Sequence, residues 1–322
     1  MPTRRHLLAL SALAPPWHRA WAKGGWVPDR PLRMVAPFPP GGASDLVARI
    51  LAEEMVTAFG QPMQVESRSG AGGALGTEAV VRARPDGLTL LMGSQATHAT
   101  NPALQKLSFD PMADLAAVAG ICGVPAVLVV HPAVPATTIG ALIALAHAQP
   151  NALRYGSAGI GASTHLAAAL FAYLAGIEMT HVPYRGTAPA MQDLLARRIE
   201  MMADTLPTAL PHIQAGRLRA LGVSTPARSA SLPEIPAITE AVPGYEALNW
   251  YAAYAPAATP EPTLARLHEA FVEAVARPRF QERLAQQGML PFAGSRAEIT
   301  AYAAADRRRW TELVLAANIR PD

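Results

Sequence analysis

Pro37-Phe38-Pro39-Pro40-Gly41-Gly42-Ala43-Ser44-Asp45 follows an apolar run, Leu32, Met34, Val35 and Ala36. It precedes a segment whose apolar residues recur with helical spacing, Leu46, Val47, Ile50, Leu51 and Met55. That order reads as strand, tight loop and helix start. Glycine lets the backbone turn sharply and come close to a ligand, and a helix start leaves several N–H groups unpaired. Those donors, at the positive end of the helix dipole, favour an anion. A second loop of the same kind, Gly156-Ser157-Ala158-Gly159-Ile160-Gly161-Ala162-Ser163-Thr164-His165, lies about 120 residues downstream. Two such loops predict two lobes facing one small anionic molecule.

Working outward, apolar runs of strand length alternate with helix-length periodic segments. Strands are predicted over 32–36, 63–66, 88–92, 126–130, 153–155, 179–182, 199–203, 218–223 and 250–255. Helices are predicted over 45–59, 73–82, 139–147, 164–174, 188–197, 263–276, 279–287 and 296–316. The alternation argues for an α/β fold with parallel sheets covered by helices. It occurs twice, as two small doubly wound sheets whose ligand crevice lies beyond the carboxyl ends of the strands. The apolar stretch 115–130, punctuated by Gly120, Gly123 and Pro125, reads as the passage between lobes, and 250–256 as the returning strand. Lobe one is expected over 27–123 plus 226–322 and lobe two over 124–225, with the cleft between them.

The 322 residues are 51% hydrophobic and 16% charged, a balance that supports a large core and argues against disorder. Arg4 and Arg5, the apolar run 7–14 and Ala20-Trp21-Ala22 form an export signal over 1–22, cleaved after Ala22. Thr3-Arg4-Arg5-His6-Leu7-Leu8 fits twin-arginine export, and ordinary Sec export fits equally. Removing Arg4, Arg5 and Arg19 leaves 24 basic and 24 acidic residues, so the mature charge is zero. No basic stripe then argues for nucleic acid, and no later run is long enough to span a bilayer. The expected location is the periplasm. Cys122 is the sole cysteine, which excludes an internal disulfide.

Several catalytic readings fail on spacing. Ser157, His165 and Asp204 suggest a serine hydrolase triad, but the G-x-S-x-G elbow is absent around Ser157 and Ser163. The histidines are dispersed, with no H-E-x-x-H or paired-cysteine spacing for a metal. Gly70-Ala71-Gly72-Gly73-Ala74-Leu75-Gly76 misses the dinucleotide fingerprint by one residue and reads as a turn with a close-packed helix start. No catalytic residue, cofactor or metal is expected. A binding site uses the same residues without strain. Phe38 supplies an apolar wall, Ser44 or Asp45 caps its helix, and Ser157, Ser163 and Thr164 offer hydroxyls beside backbone N–H groups. Ser94, Gln95 and Thr97 follow the third strand toward the same crevice. Tyr184 packs on the ligand or caps the hinge, and Asp204 ends a later strand, where it accepts from a ligand or caps the next helix.

Taken in order, several short motifs resemble the tripartite tricarboxylate transporter substrate-binding family, also called Bug or TctC. They are Pro37 to Gly42 with Asp45 and Ala48-Arg49; Gly72-Gly73 with Gly76; Pro85-Asp86-Gly87; Gly156-Ser157 with Gly159, Gly161 and His165-Leu166; Val182-Pro183-Tyr184-Arg185-Gly186; Pro211-His212-Ile213 with Gly216-Arg217-Leu218-Arg219; Arg228-Ser229 with Leu232-Pro233; Trp250; and Pro256. The resemblance implies a two-lobed periplasmic-binding-protein fold (type II, Venus-flytrap) that closes around a small organic acid or acidic amino acid for uptake, without catalysis. It implies ligand contacts at Phe38, Gly41, Ala43 and Asp45, then at Ser157, Gly161, Ala162, Ser163 and Thr164. It implies a membrane permease as partner to a monomeric binder. A co-sensor for a membrane receptor and, from another class, a serine hydrolase are the alternatives. The chain departs from the family pattern at Ile121-Cys122-Gly123 and over 249–254, which leaves the distal end of the ligand open.

Overall fold

The computed structural model describes residues 26–320. The expected signal over 1–22 and its cleavage after Ala22 lie outside the described residues. In chain order the elements are β1 (Leu32–Ala36), α1 (Ala43–Phe59), β2 (Met63–Ser67), α2 (Ala74–Val81), β3 (Thr89–Ser94), α3 (Asn101–Leu104) and β4 (Leu115–Val130). There follow α4 (Ile139–Ala148), β5 (Arg154–Ser157), α5 (Ser163–Ala175), β6 (Thr180–Pro183), α6 (Thr187–Leu195), β7 (Met201–Thr205), α7 (Leu206–Gln214) and β8 (Arg219–Val223). The last are β9 (Leu248–Pro256), α8 (Glu261–Ala276), α9 (Pro278–Gln286), β10 (Leu290–Pro291) and α10 (Arg296–Ala316). A single turn of π-helix, Ala96–Thr100, follows β3.

The strands form one path, β2-β1-β3-β9-β4-β7-β5-β6, with β8 and β10 also paired to β4. The strands at each end, β2-β1-β3 and β7-β5-β6, are parallel, as the strand–helix alternation predicts. The centre is antiparallel: β9 pairs with both β3 and β4, and β4 with β7 and β8. The sixteen residues of β4 serve both halves. Residues 115–125 pair with β9, and 126–130 pair with β7 and β8. Only 126–130 is predicted as strand, because Gly120, Gly123 and Pro125 look like breakers. The ladder absorbs them through register shifts at Ala117/Ala119 and Gly120/Cys122. Gly120 is required there, since a Cβ would lie 2.2 Å from the Phe292 carbonyl oxygen.

Each half has its own core on both faces of its sheet. On β9, Tyr251, Ala253 and Ala255 face one cluster with α1, α8 and α9, while Trp250, Ala252 and Tyr254 face the other. The second half buries Leu128, Val130, Met201 and Ala203 against α4 and α5 on one face. On its other face, Val127, Val129 and Met202 pack against α6 and α7. Two segments expected in lobe one pack on the core of the second half: Ile238, Val242 and Tyr245, and the end of α10 with Trp310, Leu313 and Val314. The start of α10, Ile299 and Ala303, lies on the first core. Packing therefore changes partway along α10, and the chain boundary at 226 does not mark it. Trp250 Nε1 donates 2.7 Å to Asp306 Oδ2 along this helix, and burial pushes the Asp306 carboxyl up to about 6. Among the described residues no helix is long and apolar enough to cross a membrane.

Candidate functional site

The loop between β1 and α1 is held from behind. Gly41 takes φ +82°, a conformation that L side chains rarely adopt, and its N–H donates 3.2 Å to Asp45 Oδ2. Asp45 also accepts from Arg49 Nε at 3.0 Å and from Ser67 Oγ at 3.4 Å. Burial raises the Asp45 carboxyl, but the Arg49, Gly41 and Ser67 donors outweigh it and hold the group below its ordinary value. Gly73, at φ +96°, leaves room for the Phe38 ring, whose Cζ would stand 3.2 Å from an added Cβ. The glycine-rich turn at 70–76 thus supports Phe38, and it contributes no residue to the cavity described below. Asp45→Ala is expected to cost about 1–3 kcal/mol of stability, the range for orphaning partners of a charged hydrogen-bonding group. Urea unfolding measures it.

The loop between β5 and α5 is closed by its own hydrogen bonds. Ala158 N–H donates 2.9 Å to Thr164 Oγ1, Gly159 N–H 3.1 Å to Ser157 Oγ, and Gly161 N–H 3.1 Å to His165 Nδ1. Ala162 N–H donates to the Gly159 carbonyl. Thr100 Oγ1 donates 3.0 Å to the Gly161 carbonyl, joining the π-helical turn to this loop. Behind it the His165 and His181 rings stack in parallel, with centroids 3.9 Å apart. Burial, with the His181 charge adding to it, pushes His165 down to about 3, so it stays a neutral acceptor.

Between these loops lies a cavity of about 90 Å³, several times the ~10–15 Å³ that admits one water. The starts of three helices line it: Gly42, Ala43 and Ser44 of α1; Ala162, Ser163 and Thr164 of α5; and Gly186, Thr187 and Ala188 of α6. Thr205, which precedes α7, lines it too. None of these four helices has a side-chain cap. Their first-turn N–H groups therefore give the cavity the positive ends of several dipoles. Arg185 also lines it, exposed and without an ion pair among the described residues. No acidic side chain lines the cavity. Ser44 Oγ, Ser94 Oγ and Asn249 Oδ1 are buried and have no partner within the protein. A recess of about 10 Å³ adjoins, sharing Ser163, Thr164, Thr205 and Asn249 and adding Gln95, whose Nε2 is likewise unpartnered.

Of the residues expected from sequence, Phe38, Ala43, Ser94, Ala162, Ser163 and Thr164 line the cavity, and Gln95 the recess. The others stand behind it. Gly41 and Asp45 bond to each other, and Gly161 N–H is taken by His165. Thr97 Oγ1 closes onto the backbone of Ser94. Tyr184 Oη turns away to Asp193 at 2.8 Å. Asp204 is fully buried and accepts from Thr208 Oγ1 at 2.6 Å, with its other oxygen unpartnered. The triad weighed from sequence is not assembled: Ser157 is fully buried and lies 2.6 Å from His181 Nε2, not beside His165. Sequence reasoning missed Arg185 to Pro189, Thr205, Asn249 and Tyr251. The helix-start pattern Gly186-Thr187, the quoted motif that holds Arg185 and the departure from the family pattern over 249–254 were the signals for them.

A family model described as the tripartite tricarboxylate transporter family receptor matches residues 47–319. The UPF0065 protein in the tcbD-tcbE intergenic region of Pseudomonas sp. (strain P51) is 38% identical over 290 residues, 89% of this chain and 86% of the relative. The solved structure of R. palustris Rpa4515 with adipate has a TM-score of 0.88 and 34% identity, over 92% of this chain and 99% of that one. MatC (Rpa3494) from Rhodopseudomonas palustris, with bound malate, has a TM-score of 0.83 and 30% identity, over 89% and 99%.

Proposed function

The chain belongs to the tripartite tricarboxylate transporter receptor family, and from that premise we propose that it captures a small carboxylate in the periplasm for uptake, without chemistry. The observation that carries this reading is the convergence of uncapped helix starts, α1, α5 and α6, on one cavity with no acidic lining. A carboxylate there accepts charge-assisted hydrogen bonds from first-turn N–H groups, each worth about 1.5–3 kcal/mol. Ser44 and Ser94 add hydroxyls that otherwise lack partners. Phe38 and the alanines supply an apolar wall. Adipate and malate in the two related structures are both carboxylates, which supports the class. The ligand contacts are Phe38, Ala43, Ser94, Ser163 and Thr164, with Gly41, Asp45, Ser157 and Gly161 holding the loops that present them.

The proposed cycle is hinge closure. A ligand that touches both lobes binds the closed form more tightly and shifts the population toward it. The partner that receives the loaded form is a membrane permease. Differential scanning fluorimetry with a panel of mono- and dicarboxylates, adipate and malate among them, tests the reading. An acid at a hundred times its Kd adds about 2.7 kcal/mol and raises Tm by several degrees. If no acid in the panel moves Tm, the reading fails.

A further inference from the structure

One turn of the chain ties the two ligand loops together. β3 ends at Ser94 on the cavity wall, and the π-helical turn 96–100 and the short helix α3 follow it. A π-turn is rare and frequently marks a functional site. Thr97 Oγ1 accepts 2.9 Å from the Ser94 N–H and donates 3.0 Å to the Ser94 carbonyl. Asn101 Nδ2 donates 2.9 Å to the Gly72 carbonyl and Gln105 Nε2 3.0 Å to the Ala71 carbonyl, in the turn that supports Phe38. Toward the other loop, Thr100 Oγ1 reaches across 61 residues of chain to the Gly161 carbonyl at 3.0 Å. Leu104, four residues on, packs on the same glycine and leaves no room for a Cβ there. Thr100 itself is fully buried and does not line the cavity.

The group that Thr100 holds is the peptide between Gly161 and Ala162. Its carbonyl accepts from Thr100, and its N–H, that of Ala162, donates 3.2 Å to the Gly159 carbonyl. Gly161 has no side chain and takes φ +76°, so hydrogen bonds do most to fix how this peptide is turned. The Thr100 bond is the one that ties it to a distant part of the chain. Ala162, Ser163 and Thr164 come next, lining the cavity at the start of α5. A buried carbonyl without a donor is costly, and a peptide beside glycine can rotate to escape that cost. Rotation would draw the Ala162 N–H away from Gly159 and re-aim the first turn of α5. We propose that Thr100 is a positioning residue for ligand capture, acting through the Gly161 peptide to aim the N–H groups of α5 into the cavity.

This inference rests on the carboxylate-capture reading and names a residue that sets the strength of the grip. The test is calorimetric titration, with thermal unfolding alongside, of the wild type, Thr100→Val and Thr100→Ser against adipate, malate, succinate and butyrate. Valine keeps the shape of threonine without the hydroxyl, and serine keeps the hydroxyl without the methyl. Thr100→Val is expected to bind every acid that the wild type binds about tenfold or more weakly. The factor should be similar for each acid, because α5 meets the carboxylate they share. Thr100→Ser should stay within about threefold of the wild type. Thr100→Ala takes the place of the valine variant if that one does not fold. A hydroxyl that only stabilises the fold would lower Tm and leave affinity unchanged. That result, or a loss of affinity that serine does not restore, overturns the inference and leaves carboxylate capture standing. If the wild type binds none of the four acids, carboxylate capture fails and this inference fails with it.

Discussion

Ser163→Glu is expected to weaken carboxylate binding by a hundredfold or more while leaving the fold as stable as before. Ser163 is the first residue of α5, lies on the cavity wall and is partly exposed to it. A glutamate in the first turn of a helix interacts favourably with the dipole, by about 0.3–1 kcal/mol, so Tm should hold or rise slightly. The same carboxylate then occupies the field that the ligand uses. Two like charges about 5 Å apart at an effective dielectric near 20 repel by about 3 kcal/mol, and each 1.4 kcal/mol is a factor of ten in affinity. Ser163→Ala, which removes a hydroxyl and adds no charge, should lose less than tenfold. Titration with whichever acid stabilises the wild type reads both variants. Equal binding by Ser163→Glu and wild type would place the anion elsewhere and remove α5 from the site.

Both loops were legible because glycine and helix periodicity are local signals. Gly41 and Gly161 take positive φ, and α1 and α5 start within two residues of the predicted positions. α7 was not legible. Pro207 suits the first turn of a helix, but Pro211 inside it reads as a breaker, and tertiary packing of Leu206, Ala209 and Leu210 carries the helix through. At the site, four expectations miss the cavity by one residue. Gly42 lines it where Gly41 was expected, Ala158 where Ser157, Arg185 where Tyr184, and Thr205 where Asp204. Asp204 and Thr205 are successive residues of β7, where side chains point to opposite faces, so an error of one residue turns a side chain from the cleft into the core. Composition favoured Ser157 over Ala158 and Asp204 over Thr205, and the local backbone decided otherwise. Asn249 and Tyr251 were beyond reach for another reason. They come to the cavity through the β9–β3 and β9–β4 ladders, pairings made across more than a hundred residues of chain.

Asp204 carries the largest stability prediction because the fold buries it without an ion pair among the described residues. Burial drives its carboxyl up to about 7, and the Thr208 hydroxyl and Thr205 N–H, which favour the ionised form, only partly oppose that. In the unfolded chain an Asp titrates near 3.9. The folded state therefore prefers the protonated acid. Its contribution to stability is complete below about pH 4 and is lost as pH rises through about 7. A displacement of about three units corresponds to an upper bound of about 4 kcal/mol. Asp204→Asn keeps the shape and the acceptor for Thr208 but cannot ionise. At pH 8 the variant should be about 2–4 kcal/mol more stable than the wild type, and at pH 4 the two should agree within about 1 kcal/mol. Asp306, which burial also raises, titrates in both proteins and cancels in the difference. Ligand affinity should change little, since Asp204 stands behind Thr205 and not on the cavity wall. Urea unfolding of both proteins at the two pH values decides the matter. A stability difference that does not vary with pH, or a variant weaker than wild type at pH 8, would mean that the buried carboxylate has a partner that keeps it charged.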